Sequence, residues 1–163
     1  MNIEVNLDNL TKEEQEQFNA LVKKANKPKS KVWKPEVGQT YYNFAATNLI
    51  WRDTDIDMFN YAIGNCFKTR KEAEFALERL KVIAEMKRYI AEHDDMKLDW
   101  SNPEQEKWYL RYWHYDNSIF IDHNNLGAQS VDSSFHTSNE KILEDMIKEI
   151  GEDRIKKYYF GVK

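Results

Sequence analysis

The sequence predicts an α+β protein in which antiparallel strands pack against helices. Three observations lead to this class: a long apolar helix follows Phe67–Glu72, an aromatic strand spans Lys107–Tyr115, and a second apolar helix follows Phe135–Glu140. The two helix starts share the order Phe, Thr, Glu. We therefore predict two βββα halves, preceded by an N-terminal helix.

The two halves align imperfectly, which leaves their origin open. At an offset of 68 residues Tyr41 meets Tyr109 and Thr69 meets Thr137, whereas the apolar positions of the two helices align better at an offset of 70. An internal duplication is one explanation. Two capped helices that arose independently after short sheets are the other.

Composition favours a folded protein whose surface is not strongly basic. Charged residues make up 32% of the 163 residues and aromatic residues 13%, which argues against wholesale disorder. A formal net charge of −4 disfavours non-specific nucleic-acid binding but suits contact with a basic protein surface. No signal-peptide pattern and no apolar run near 18 residues is present, so we expect a soluble, cytoplasmic protein without a membrane partner.

A helix is predicted within the N-terminal segment, residues 1–26. Thr11 and Glu14 have the spacing of a capping box. The apolar stripe that follows consists of Phe18, Leu21, Val22 and Ala25. Because this stripe is too small to hold so short a helix alone, we expect it to dock on the rest of the chain or on a second copy.

The first βββα half is predicted for residues 40–93, after a basic linker and a turn anchored by Trp33 at residues 27–39. A polar turn is expected at residues 53–57. The expected strands are Thr40–Phe44, Asn48–Trp51 and Phe59–Phe67.

The acidic turn at residues 53–57 resembles the start of a calcium loop. Met58 stands where such a loop needs glycine, and Gly64 stands where it needs glutamate. We therefore predict an exposed acidic turn and no metal site.

The long helix is predicted for Arg70–His93, with Thr69 and Glu72 as its capping box. Two apolar stripes run along it. The wider one comprises Ala73, Ala76, Leu77, Leu80, Ile83, Ala84 and Ile90; the narrower one comprises Phe75, Val82, Met86 and Tyr89. We interpret the narrower stripe as core or as a homodimer surface rather than a ligand groove.

A loop is predicted at residues 94–106 and the second βββα half at residues 107–163. The hairpin turn of this half is expected at Asp116 and Asn117. Its expected elements are the strands Lys107–Tyr115, Ser118–Asp122 and Val131–Phe135, the helix Ser138–Ile150 and a short final helical element.

The strand Lys107–Tyr115 is the first candidate for a binding surface. Alternation places Trp108, Leu110, Tyr112 and His114 on one face, which we predict to be core, and Tyr109, Arg111, Trp113 and Tyr115 on the other. Tyr, Trp and Arg are enriched at binding hot spots and on stacking platforms. We predict that this second face binds a partner, with Trp33 as a further binding residue. The alternative is that helices cover both faces.

No catalytic signature is present, so we expect a non-enzymatic protein without metal or cofactor. The chain lacks a Gly-rich phosphate loop and a nucleophile elbow, and its four histidines lack metal-ligand spacing. The pairs His114/Asp116 and Asp122/His123 flank the hairpin turn and would form a metal or acid–base site if they approached each other. Surface polar residues at a turn are the preferred alternative. Cys66, the single cysteine, is interpreted as a small buried hydrophobe.

Three sequence blocks carry a family resemblance that spans nearly the whole chain. They are Val32-Trp33-Lys34-Pro35-Glu36-x-Gly38-x-x-Tyr41-Tyr42, Gly64-Asn65-x-Phe67-Lys68-Thr69-x-x-Glu72-Ala73-Glu74, and the ending from Gly151 to Gly161. The chain resembles a family of small accessory proteins encoded by phages and prophages of Gram-positive bacteria. That resemblance implies no catalytic residues. It implies an accessory phage role that is carried out in the host bacterial cell. Inhibition of host defence is prominent among such roles.

Our preferred hypothesis is an anti-CRISPR-like protein that binds a host defence component, for example a nuclease complex, and occludes its surface. A second hypothesis is a sponge that sequesters a nucleotide immune signal, using Arg111 with Tyr109 and Trp113. A third is a virion or nucleic-acid-associated structural protein that uses the basic linker.

Overall fold

Helix caps and strand alternation determine where the elements of the chain begin and end. The structure, a computed structural model, describes residues 7–26, 32–124 and 135–162. Its elements are α1 (Lys12–Ala25), β1 (Thr40–Tyr42), β2 (Asn48–Ile50), α2 (Asp55–Ala62), α3 (Arg70–His93), β3 (Lys107–Trp113), β4 (Ser118–Asn124), α4 (Glu140–Ile150), α5 (Glu152–Arg154) and a π-helical turn (Ile155–Tyr159). The class is therefore α+β. The chain divides into two units, Met1–Lys34 and Pro35–Lys163.

The first unit contains helix α1, which has the predicted capping box. The Thr11 hydroxyl oxygen accepts from the Glu14 N–H at 3.3 Å, and the Glu14 carboxylate accepts from the Thr11 N–H at 2.8 Å. These bonds satisfy donors that a helix start would otherwise leave without partners. The docking of α1, on the rest of the chain or on a second copy, stays a prediction.

Two antiparallel hairpins, β1–β2 and β3–β4, occur in the described part of the second unit. Each is extended by a bridge to a residue just before a helix. Tyr42 exchanges two backbone hydrogen bonds with Phe67, at 2.9 and 2.8 Å, and Trp108 exchanges two with Thr137, both at 2.9 Å. In both cases a helix begins three residues further on. The two halves share this arrangement, and their duplication stays a prediction.

The predicted strand Phe59–Phe67 is wrong, because much of this segment lies in helix α2. Thr54 caps the helix: its hydroxyl oxygen accepts from the Asp57 N–H at 3.3 Å, and the Asp57 carboxylate accepts from the Thr54 N–H at 3.1 Å. The residues predicted as an exposed acidic turn are thus a helix start, and Asp57 is buried. Local aromatic and β-branched residues favour a strand here, but the cap and the packing of the buried face override that preference.

The second half also differs in detail from the expectation. Helix α4 begins at Glu140, and Asn139 caps it by accepting from the Lys141 N–H at 2.8 Å. Of the predicted strand Val131–Phe135, residues 131–134 lie outside the described residues, and Phe135 is buried in the core.

Helix α3 spans the predicted residues, and most of its narrower stripe faces the core. Val82, Met86 and Tyr89 of that stripe are buried, whereas Phe75 is 38% exposed. In the wider stripe, Ala73 is buried and Leu80 is exposed. The three buried residues of the narrower stripe thus belong to the core, which is one of the two interpretations given for that stripe. The buried core residues around it are Val82, Met86, Tyr89, Leu110, Phe135, Leu143, Met146, Ile150 and Ile155.

The C-terminal segment closes this core. Gly151 ends α4 with φ +95°, a conformation that favours glycine, and α5 and the π-helical turn follow. Ile155 is fully buried, and the Arg154 guanidinium donates to both carboxylate oxygens of Glu85 on α3, at 2.7 and 3.3 Å. Within the described ranges, no helix is long and apolar enough to cross a bilayer.

Candidate binding surface

The β3–β4 hairpin has one face toward the core and one face toward solvent. The register pairs Leu110 with Ile121, and both pack in the core together with Trp108. Side chains of successive residues point to opposite faces, as strand alternation predicts. The core therefore anchors the hairpin through one face and leaves the other available.

The outer face carries aromatic rings around an ion pair. The ring of Trp113 lies 5.7 Å from that of Tyr115 and 5.9 Å from that of Phe120. The Arg111 guanidinium carbon lies 5.3 Å from the centre of the Phe120 ring, and Arg111 Nη1 donates to Asp122 Oδ2 at 2.8 Å. We call these five residues the hairpin surface.

The aromatic end of the hairpin surface is strongly exposed. Tyr115 is 92% exposed and Trp113 is 46% exposed. Strand β3 ends at Trp113, two residues earlier than predicted, so Tyr115 lies in the connecting turn. The Asp116 carboxylate accepts from the Ser118 N–H at 3.2 Å and from its hydroxyl at 2.6 Å, which fixes that turn. These two hydrogen bonds stabilise the turn that carries Tyr115.

The ion pair on this surface is charged on both sides at neutral pH. The hydrogen bond that Arg111 donates to Asp122 raises the pKa of the Arg111 guanidinium above its usual value. The hydrogen bond from Arg111, followed by one from the His123 N–H, lowers the pKa of the Asp122 carboxyl. The charge of Arg111 is therefore balanced by its neighbour rather than presented alone.

The structure brings three of the five predicted binding residues together: Arg111, Trp113 and Tyr115. Tyr109 is half-buried, and its ring lies 5.0 Å from the ring of His136. Trp33 belongs to the first unit, where it is half-buried and lies outside helices and strands.

Phe120 and Asp122 complete the surface. Phe120 is not among the predicted site residues, and Asp122 is predicted only as part of a polar pair with His123. The signal that could have found them is the register across the predicted turn, which places Phe120 opposite Arg111 and Asp122 opposite Tyr109. Residues that face each other across a strand pair interact directly.

The polar pairs predicted beside the hairpin turn do not come together. His114 and Asp116 lie in the turn, whereas Asp122 and His123 lie near the far end of β4. His123 packs instead against the ring of Trp108 at 4.6 Å. No group of three side chains that could hold a metal ion occurs in the described residues.

Cys66 does not have the environment of a reactive cysteine. Burial raises the pKa of its thiol to about 11, with the charge of Asp57 contributing in the same direction. At neutral pH the group is a thiol rather than the nucleophilic thiolate. Cys66 is half-buried, so the interpretation as a small buried hydrophobe fits its chemistry but not the full extent of burial.

Comparison with known proteins adds no family or activity: no family model matches the chain, and neither a curated protein nor a solved structure matches it. The chemistry of the hairpin surface is therefore the starting point for its function.

Proposed function

We propose that this protein is a non-enzymatic binding protein that covers a site on a bacterial anti-phage defence component with its hairpin surface. The observation that carries the proposal is the exposed pair Trp113 and Tyr115, beside the Arg111–Asp122 ion pair, on a hairpin anchored in the core. Trp, Tyr and Arg contribute most of the binding energy in many interfaces. A surface that is already ordered by the core loses less conformational entropy when it binds a partner.

The class of target rests on the resemblance of the three sequence blocks to phage accessory proteins, for which inhibition of host defence is a prominent role. The mechanism that fits is occlusion: the body of the protein blocks a groove or a subunit contact. A net charge of −4 suits a basic groove, such as one that binds nucleic acid in a nuclease complex.

A nucleotide sponge has weaker support from the same surface. Arg111 already donates to Asp122, so a phosphate would have to displace a carboxylate that remains beside it. The third hypothesis, a virion or nucleic-acid-associated structural protein, depends on the basic linker, and residues 27–31 of that linker lie outside the described residues.

Affinity capture with matched variants tests the proposal. Tagged wild-type protein is incubated with lysates of bacteria that each express one defence system, and retained proteins and small molecules are identified by mass spectrometry. We expect one defence protein to be retained in stoichiometric amount. The double variant Trp113→Ala/Tyr115→Ala should bind it about 100-fold or more weakly, because hot-spot aromatics contribute about 2 kcal/mol or more each.

Met96→Ala is the control, because it removes a similarly exposed apolar side chain from the loop before β3. It should leave capture unchanged. Capture that persists with a double variant that still unfolds cooperatively would exclude the hairpin surface. Elution of a nucleotide without any protein would overturn the proposal in favour of a sponge.

A further inference from the structure

Helix α2 has the reverse of the usual amphipathic arrangement. Ile56, Phe59 and Ile63 are 72%, 62% and 51% exposed, and their spacing places them on one side of the helix. The buried side carries polar residues instead, namely Asp57 and Asn60. A surface helix normally buries its apolar side and exposes its polar side. The exposed apolar side of α2 therefore needs an explanation other than the packing of its own core.

Charge is scarce in the sequence around this helix. Residues 37–67 contain only four charged residues, although charged residues make up 32% of the chain; they are Arg52, Asp53, Asp55 and Asp57. Depletion of charge combined with exposed apolar and aromatic side chains is typical of the centre of a protein–protein interface.

The area of this face approaches what a two-fold interface requires. We call Ile56, Phe59 and Ile63 the α2 face. With roughly 150–200 Å² for each full side chain, they present on the order of 300 Å² of apolar surface. Two copies would bury about 600 Å² of apolar area, or roughly 1,000 Å² in total at the usual apolar share of about 60%. Specific interfaces need about 1,000 Å², and those near this limit are weak, so we expect the dimer to form at micromolar concentrations.

We propose that the α2 face is the contact surface of a homodimer, in which α2 of one copy packs antiparallel to α2 of a second copy. A two-fold axis places the same patch on both copies, and an uncharged apolar patch is complementary to itself. It offers no charged group that would select a foreign partner. In the antiparallel arrangement the Asp55 side chains lie at opposite ends, so like charges stay apart. The proposal does not depend on the hairpin surface.

Sedimentation of the full chain between about 1 and 200 µM tests the dimer. We expect wild-type protein to move from monomer to dimer within this range. Phe59→Glu should weaken the dimer at least 100-fold, because it places a charge at the centre of the contact. Ile56→Glu, in the first turn of α2, should have the same effect, and an acidic residue there is favourable for the helix. Both variants introduce a good helix former, so circular dichroism should show a retained fold.

Met96→Glu is the matched control, because it replaces an equally exposed apolar residue outside α2 with the same charge. It should dimerise like wild type. A wild-type chain that is monomeric throughout the range would overturn the proposal. So would a dimer that Phe59→Glu leaves intact, or one that only Leu21→Glu on α1 disrupts.

Discussion

At the scale of single residues, Asp57 is a buried carboxylate surrounded by donors. It accepts from the Tyr41 hydroxyl at 2.9 Å, from the Arg52 N–H at 2.9 Å and from the Thr54 hydroxyl at 2.8 Å. Burial raises the pKa of Asp57, but these hydrogen bonds together outweigh burial and lower the pKa to about 2. One carboxylate thus joins the first hairpin, the segment after it and the start of α2.

We expect Asp57→Asn to lower the free energy of unfolding at pH 7 by about 2 kcal/mol, because buried donors lose a charged acceptor. The pKa of Asp57 in the folded state lies below its unfolded value near 4, so its contribution is complete above about pH 4 and is lost as the pH falls toward 2. Urea unfolding from pH 7 to pH 2 should show the difference between wild type and variant shrinking in that window.

The control for this prediction is Asp55→Asn, which changes an exposed carboxylate in the same helical turn and should have little effect. A stability difference between wild type and Asp57→Asn that stays constant down to pH 2 would show that the charge of Asp57 is not responsible.

At this scale, part of the hairpin surface is predictable from the sequence. Arg111, Trp113 and Tyr115 fall on one side because alternation is a local property of a strand. The packing of Tyr109 against His136 and the burial of Asp57 against Tyr41 depend on residues far apart in the chain. Because aspartate is seldom buried, the residue type alone predicts that Asp57 is exposed.

At the scale of elements, capping residues determine which helices can be predicted from the sequence. Helix α3 was predictable because Thr69 and Glu72 mark its start and an uninterrupted apolar pattern follows. Its two stripes are both visible in the sequence, but only the elements packed against it decide which one is buried. Helix α2 has a capping box with aspartate in place of glutamate. It was not predicted, because the aromatic and β-branched residues of Phe59–Phe67 favour a strand.

The C-terminal helical segment gives a prediction at this scale. Ile155 is fully buried against the core, so Ile155→Ala should lower the free energy of unfolding by about 3 kcal/mol through lost contacts and a cavity. Denaturant unfolding measures this change. Lys157→Ala, two residues later and exposed, should change stability little. Equal effects of the two substitutions would mean that the segment does not close the core.

At the scale of the whole molecule, buried residues are unevenly distributed over the second unit. The large core joins the second part of α3, the β3–β4 hairpin, α4 and the C-terminal turn. The first hairpin and α2 have a smaller centre, in which Tyr41 and Trp51 are buried with ring centres 5.8 Å apart. The α+β class was predictable from composition and pattern. This uneven distribution was not, because it depends on which elements meet.

We expect hydrogen exchange to reveal this difference. Amides around Met86, Leu110 and Met146 should exchange only through global unfolding, because they lie in the large core. Amides of β1, β2 and α2 should exchange through partial openings of lower free energy. Exchange measured by mass spectrometry at increasing denaturant distinguishes the two classes. Equal opening free energies across the second unit would contradict the expectation.

The alternation of the β3–β4 hairpin has a consequence for the evolution of the protein. Residues that hold the fold, such as Leu110 and Ile121, are interleaved in the sequence with residues that face solvent, such as Arg111 and Phe120. Selection can therefore act on the two sets separately. Under the proposed function, a target that escapes binding by mutation could be matched by substitutions at the outward positions, one at a time, while the core-facing residues stay unchanged.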